Sequence, residues 1–294
     1  MRYPLVALML LGCGTGAAPA AKEAPPVAPA RDAAVVVAAD AAAPDPKPPE
    51  GQYATLAEAL VAIMPADARV IGFGELHARV DRAAARSALS LFTGALPWFG
   101  DKVSDLIVET FIVDPTCGKS AVATTQKMET EVKRPVETKS EITLLADAAK
   151  AAKIQPHAMT LSCADYKTVM PKGEIDPLAM LTITTRELKR IALSAIAHRD
   201  KEPGHRPWIA LYGGALHNDQ APDKALAEWS YAGAVDQAAG GHYVEIDLIV
   251  PEFAAADTFS QNQAWFPLVE KAGDWIQIWK RNDRSFVVVL PKTR

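Results

Sequence analysis

The chain has 294 residues, of which 49% are hydrophobic and 22% are charged, as in an ordinary globular protein with enough chain to bury a core. A formal net charge of −4 without a basic block argues against nucleic acid as the main partner. No segment reaches the roughly 20 consecutive apolar residues that a transmembrane helix needs. The three cysteines are too few for a disulfide scaffold.

The first residues resemble the signal peptide of a bacterial lipoprotein. Arg2 supplies the positive charge, residues 5–11 form a short apolar core, and Gly12-Cys13 stands where the lipobox places its cleavage site. This pattern predicts removal of residues 1–12 and lipidation of Cys13, which anchors the protein to a membrane of the cell envelope. Because Gly14 rather than aspartate follows, we expect the outer membrane, facing the periplasm or the cell surface. The alternative is an ordinary signal peptide that happens to contain a cysteine.

The next segment has the composition of a linker. Residues 14–50 are mostly alanine and proline, contain eight of the 22 prolines, and include no aromatic residue. Such a segment buries too little apolar surface to offset its chain entropy. We therefore predict a lipidated, disordered tether over residues 13–50 and a folded domain over residues 51–294.

Within residues 51–294, short apolar runs alternate with helical patterns. Thr55 and Glu58 form a capping-box pattern, and Asp176-Pro177 is a strong helix start. The predicted helices are 55–64, 81–96, 140–153, 176–199 and 221–230, and the predicted strands are 67–73, 104–111, 157–161, 208–212, 243–250, 275–280 and 285–290. The polar residues 117–139 are interpreted as a long irregular excursion. This order predicts an α/β fold, with a mostly parallel sheet flanked by helices and antiparallel strands added at the C-terminal end.

Two segments of the form G-x-x-H follow predicted strands, namely Gly74 to His77 and Gly214 to His217. Glu75 lies in the first of them, and Glu109 ends the strand 104–111. Because ligands of open parallel sheets bind beyond the carboxyl ends of the strands, we expect these side chains to converge. Histidine and glutamate can bind a metal ion or move a proton there. The alternative is that they are satisfied polar residues at the ends of the sheet.

The segment from Val70 to His77 resembles the opening motif of the superfamily that unites Tiki proteases, TraB proteins, erythromycin esterases and ChaN-like haem-binding lipoproteins. In that pattern a G-x-x-H follows the first strand, a glutamate ends a later strand, and a second G-x-x-H comes near the end of the domain. Glu75, His77, Glu109 and His217 occupy these places in order. The resemblance covers about residues 55–250.

The resemblance implies two functions. The first is a metal-dependent hydrolase of ester or peptide bonds in a small-molecule or peptide substrate, with Glu75, His77, Glu109 and His217 as catalytic residues. A divalent metal ion would be bound by His77, Glu109 and His217. The alternative is a lipoprotein that binds haem or an iron complex through Glu75, His77 and His217 without catalysis. For haem, Tyr166 and Tyr212 are further candidate ligands, although both are more readily explained as packing residues. The sequence leaves the oligomeric state open.

If Cys13 is lipidated, Cys117 and Cys163 remain. In an oxidising compartment they could form a disulfide that closes a loop of 46 residues. The alternative is a nucleophilic cysteine with a histidine nearby.

Overall fold

The computed structural model describes residues 48–80, 85–112, 114–202 and 204–293. The signal peptide, Cys13 and nearly all of the expected tether lie outside the described residues, so the lipid anchor stays a prediction. All the described residues belong to one compact unit.

An eight-stranded mixed sheet organises this unit and confirms the predicted α/β fold. The strands are β1 (Gln52–Tyr53), β2 (Val70–Glu75), β3 (Val103–Ile112), β4 (Gln155–Thr160), β5 (Trp208–Gly214), β6 (Tyr243–Ile249), β7 (Ile276–Asn282) and β8 (Ser285–Val289). Their order across the sheet is β1-β7-β8-β6-β2-β5-β3-β4. The strands from β8 to β4 pair in parallel, whereas β1 and β8 pair antiparallel with β7. The predicted C-terminal hairpin is the β7–β8 pair.

Helices flank the sheet on both faces. They are α1 (Leu56–Ile63), α2 (Ala88–Phe99), α3 (Gly118–Glu131), α4 (Glu137–Ala151), α5 (Cys163–Val169), α6 (Pro177–Arg199), α7 (Ala215–Asn218), α8 (Ala232–Ala238), α9 (Pro251–Ala255), α10 (Thr258–Gln261) and α11 (Phe266–Glu270). The expected caps are present: Thr55 and Glu58 form the capping box of α1, and Asp176 caps α6. None of the helices in the described part of the chain is long and apolar enough to cross a membrane.

The central strands are buried on both faces, because alternate residues point into two separate cores. Ile71 and Phe73 of β2 pack in the core with α1, α2 and α4, whereas Val70 lies in the core with α3, α5, α6 and α8. The rings of Phe73 and Phe92 are 4.8 Å apart, and Phe92 lies 4.7 Å from Tyr212 of β5. This aromatic packing fixes the ends of β2 and β5 next to each other.

Three sequence predictions about helices are corrected. Residues 118–131 of the expected irregular excursion form α3, whose buried face consists of Ala121, Thr124, Thr125 and Met128 at helical spacing. Helix α2 begins at Ala88 rather than near residue 81, since Ser87 caps it. The expected helix 221–230 is a short 3₁₀ turn at Ala227–Trp229, and the helix of this region is α8.

Cys117 and Cys163 are joined by a disulfide with an S–S distance of 2.01 Å. Cys117 immediately precedes α3, and Cys163 is the first residue of α5. The bond therefore attaches the start of α3 to the start of α5.

Candidate functional site

The four residues singled out in the sequence meet at one edge of the sheet. Glu75 ends β2 and pairs in register with Gly214, which ends β5. His77 follows β2 by two residues, His217 lies in the short helix α7 after β5, and Glu109 lies on the adjacent strand β3. We call Glu75, His77, Glu109 and His217 the strand-end site.

The position predicted for Glu109 needs one correction, because β3 does not end there but continues to Ile112. The pairing of β3 with β4 shifts register between Val108 and Ile112, so the strand is irregular within residues 109–111. The Glu109 side chain lies over β5: a Cβ atom added to Gly213 would lie only 2.7 Å from Glu109 Oε2. Glycine at position 213 therefore makes room for the carboxylate.

Gly214 marks the centre of the site. A Cβ atom added there would lie 3.0 Å from His77 Nε2, 3.6 Å from Glu109 Oε2 and 3.7 Å from His217 Cδ2. Three of the four side chains thus surround one point that carries no side chain of its own. The structure brings together the residues that the sequence placed at separate strand ends.

Glu75 holds the His77 ring in place. His77 Nδ1 lies 2.8 Å from Glu75 Oε1, and the buried Tyr212 hydroxyl donates a hydrogen bond to the other oxygen of the same carboxylate. Because a carboxylate oxygen accepts, His77 Nδ1 carries a proton and Nε2 faces the rest of the site. Glu75 therefore orients His77 rather than facing the central point.

Glu109 is the buried anion of the site, with 7% of the residue exposed. Its Oε2 accepts the backbone N–H of Gly214 at 2.7 Å, and its Oε1 lies 3.4 Å from His77 Nε2. Burial raises the pKa of the Glu109 carboxyl, but the neighbouring His77, His217 and Arg134 outweigh this effect and hold the pKa well below its usual range. Glu109 is thus a carboxylate at neutral pH.

Arg134 also contacts the strand-end site, and the sequence analysis missed it. It lies between α3 and α4, its side chain is 9% exposed, and its Nη2 is 3.3 Å from both Glu109 Oε1 and His77 Nε2. The guanidinium also lies over the Phe111 ring, 5.5 Å from its centroid. No sequence motif marked Arg134, because it comes from the segment that was interpreted as irregular.

The protonation of His77 follows from its neighbours. Burial and the Arg134 charge lower the pKa of His77, but Glu109 and Glu75 outweigh them and raise it from 6.5 to about 9. The side chain is 27% exposed. His77 is therefore an imidazolium at neutral pH that remains accessible to solvent.

His217, like His77, is held through Nδ1, but by a backbone carbonyl rather than by a carboxylate. Its Nδ1 lies 2.9 Å from the Trp229 carbonyl oxygen and 2.9 Å from Thr185 Oγ1. Since a carbonyl oxygen only accepts, Nδ1 carries a proton, and proton exchange at this ring takes place at Nε2. Asn218 fixes the helix that carries His217 by donating to the Gly72 carbonyl at 3.1 Å.

This arrangement does not fit a metal centre. The Arg134 guanidinium lies within 3.3 Å of both His77 Nε2 and Glu109 Oε1, where a metal bound by these two atoms would have to lie. Among the described residues, no group of three or more histidine, cysteine, aspartate or glutamate side chains is arranged to hold a metal ion. Metal binding by His77, Glu109 and His217 stays a prediction from the sequence, and no step below depends on it.

The two tyrosines considered for haem have partners within the protein. The Tyr212 hydroxyl donates to Glu75, and the Tyr166 hydroxyl donates to the Ile112 carbonyl at 3.2 Å. Both side chains are buried. Haem binding through them stays a prediction without a geometric argument in its favour.

No family model and no curated protein matches this chain. A solved structure, that of the type III effector HopBA1, resembles this chain with 14% sequence identity and a TM-score of 0.38. The alignment covers 76% of this chain and 88% of the HopBA1 chain. A likeness at this level carries no argument about function. The functional interpretation therefore depends on the residues of the strand-end site and Arg134.

Proposed function

We propose that the protein hydrolyses an ester or amide bond at the strand-end site, with the two histidines as proton donor and proton acceptor. The observation that carries the proposal is the convergence of His77 Nε2, Glu109 Oε2 and His217 Cδ2 within 4 Å of the position of the absent Gly214 side chain. A scissile carbonyl group brought to this point would touch all three residues, with the His77 ring moved by a few tenths of an ångström to admit it.

His77 suits the role of general acid. With a pKa of about 9, it holds a proton at neutral pH, and its Nε2 faces the central point. Glu75 fixes the ring from the other side through Nδ1. In hydrolysis, His77 Nε2 would give its proton to the leaving oxygen or nitrogen as the scissile bond breaks.

His217 suits the role of general base. Its Nδ1 proton is engaged by the Trp229 carbonyl, which leaves Nε2 to accept a proton from water. The water oxygen bonds to the carbonyl carbon while its proton passes to His217. Transfer of that proton through solvent to His77 restores both histidines, so that one water is consumed for each bond broken.

Arg134 and Glu109 set the charge of the site. The Arg134 guanidinium lies within hydrogen-bond distance of the groups that border the central point, where it can stabilise negative charge that develops on a carbonyl oxygen. Glu109 keeps His77 protonated and is itself fixed by the Gly214 N–H.

The test is the hydrolysis of 4-nitrophenyl esters and peptide 4-nitroanilides by the purified folded domain. We expect saturable hydrolysis of at least one class, and a loss of about 100- to 10,000-fold in kcat/KM for His217→Ala, as for removal of a general base. The matched control is His205→Ala, because His205 is exposed and its ring contacts the Arg206 carbonyl. Equal activity of the two variants, or no hydrolysis of either class, would contradict the proposal.

We also propose that the protein acts in the cell envelope as a lipoprotein anchored through Cys13. The Cys117–Cys163 disulfide supports this location, because such bonds persist in oxidising compartments. Mass spectrometry of the mature protein from a bacterial host tests the anchor. An acylated Cys13 at the N-terminus is expected, and an unmodified Cys13 would contradict it.

A further inference from the structure

A cleft of about 950 Å³ opens beside the strand-end site. It lies between α3, α4 and the C-terminal part of β3, and its volume is within the range of small-molecule binding sites. Its apolar lining includes Phe111, Ile112, Val136 and Ile142. Val136 is 76% exposed and Ile112 46%, so part of this apolar surface faces solvent.

Two buried polar groups in the lining have no hydrogen-bond partner within the described part of the chain. They are Arg134 Nε and Thr125 Oγ1. The Arg134 side chain is 9% exposed, and Thr125 is 5% exposed. A buried polar group without a partner is unfavourable, and both groups here can donate a hydrogen bond. Acceptor oxygens of a ligand would satisfy them.

The charge of the lining indicates the sign of such a ligand. The side chains of Lys133, Arg134 and Lys139 line the cleft together with one negative side chain, that of Glu129. Glu129 pairs with Lys139 Nζ at 2.9 Å, and Arg134 Nη2 contacts Glu109, so the group that remains for a ligand is Arg134 Nε. A guanidinium prefers carboxylate or phosphate oxygens, which it binds with charge-assisted hydrogen bonds.

We propose that this cleft binds a small amphipathic ligand that has a carboxylate group and an apolar, acyl-like body. The carboxylate binds Arg134 Nε, a second oxygen accepts from the Thr125 hydroxyl, and the apolar body packs against Phe111, Ile112 and Ile142. Arg134 and Thr138 line both this cleft and the small cavity that contains Glu75 and His77. As a description of the substrate class, this inference rests on the proposed hydrolytic function, whereas ligand binding itself does not require hydrolysis.

Isothermal titration calorimetry with decanoate tests the proposal directly. Acetate supplies the charge without the apolar body, and 1-decanol supplies the body without the charge. We expect saturable binding of decanoate, and binding at least 10-fold weaker for each of the other two compounds. Equal affinity for decanoate and 1-decanol would overturn the assignment of a carboxylate, and absence of decanoate binding would overturn the proposal.

Two variants place the binding in this cleft. Arg134→Gln should weaken decanoate binding at least 10-fold, whereas the control Arg190→Gln should not, because Arg190 is an exposed residue of α6 that pairs with Glu187. Val136→Asp leaves the core unchanged, because Val136 is exposed. The negative charge of the aspartate should weaken binding of the decanoate anion more than binding of 1-decanol. If Arg134→Gln and Val136→Asp both bind decanoate as the unmodified protein does, the site lies elsewhere and the proposal is wrong.

The same measurement separates this proposal from the proposed function. His217→Ala abolishes the proposed general base but leaves the cleft lining unchanged, so we expect it to bind decanoate with unchanged affinity. Binding without hydrolysis in the unmodified protein would retain the cleft and reject the hydrolase. Hydrolysis without decanoate binding would retain the hydrolase and reject the ligand proposed for the cleft.

Discussion

Replacement of Gly214 by alanine places a methyl group at the centre of the strand-end site. The new Cβ atom would lie 3.0 Å from His77 Nε2, so the ring must move by a few tenths of an ångström, whereas its distances to Glu109 Oε2 and His217 Cδ2 are ordinary contacts of 3.6 and 3.7 Å. The backbone at Gly214, with φ −65° and ψ 139°, is a conformation that alanine adopts readily. The substitution therefore perturbs the site with little strain in the backbone.

The expected result is a loss of activity without loss of stability. The methyl group occupies the point at which we place the scissile carbonyl, and a displacement of reacting groups by about 1 Å can cost about 100-fold in rate. We therefore expect kcat/KM for the best 4-nitrophenyl ester to fall about 100-fold. The free energy of unfolding in urea should change by about 1 kcal/mol or less, because the conformation suits both residues.

The matched control is Gly94→Ala in α2. A Cβ atom added to Gly94 meets nothing within 4 Å, and alanine favours the helix by about 1 kcal/mol. This variant should keep full activity and gain a little stability. A folded Gly214→Ala variant with the kcat/KM of Gly94→Ala would refute the placement of the substrate at Gly214.

Three further predictions concern stability and pH. Because the pKa of His77 rises from 6.5 to about 9 on folding, its stabilising contribution is fully present below about pH 6.5 and is lost as the pH rises through 9. The deficit in unfolding free energy of His77→Gln should therefore be larger at pH 6 than at pH 10, and an equal deficit would be inconsistent with a raised pKa. The double variant Cys117→Ser/Cys163→Ser should have a free energy of unfolding in urea that is lower by about 4 kcal/mol, the chain-entropy value for a loop of 46 residues. A decrease below about 1 kcal/mol would show that the bond does not constrain the unfolded chain. Arg281→Met should lose about 3–5 kcal/mol at pH 8, because Arg281 Nη1 bonds the buried Glu245 and Asp247 at 2.6 and 2.7 Å. Burial and the charge of Asp247 raise the pKa of Glu245 to about 7, so the loss should shrink near pH 5, where the carboxyl takes up a proton; a loss independent of pH would contradict this assignment.

The parts of the fold that the sequence predicted well are those with a strong local pattern. The buried strands β2, β3 and β5 contain apolar runs ended by polar or glycine residues, and their carboxyl ends share an edge because they pair in parallel. This rule alone placed Glu75, His77, Glu109 and His217 near one another. It could not predict the contacts between these side chains. The side chains approach one another over Gly213 and Gly214, where a residue with a Cβ atom would crowd Glu109 and His77.

Helix α3 and Arg134 were missed for a physical reason. The buried face of α3 has the helical spacing of Ala121, Thr124, Thr125 and Met128, but two threonines on this face concealed the apolar pattern. With the helix assigned to an irregular excursion, nothing fixed the position of Arg134 after it. Its partners, His77 and Glu109, are 57 and 25 residues away along the chain, and only the tertiary fold brings them together.

The central claim is that His77 and His217 act together as acid and base at one site. The direct test is kcat/KM for the best 4-nitrophenyl ester in His77→Ala, His217→Ala and the double variant. Since both protons must move in the same reaction, each single variant should lose about 100-fold or more, and the double variant should be hardly worse than either single one. Losses that multiply in the double variant, or full activity in a single one, would contradict the claim.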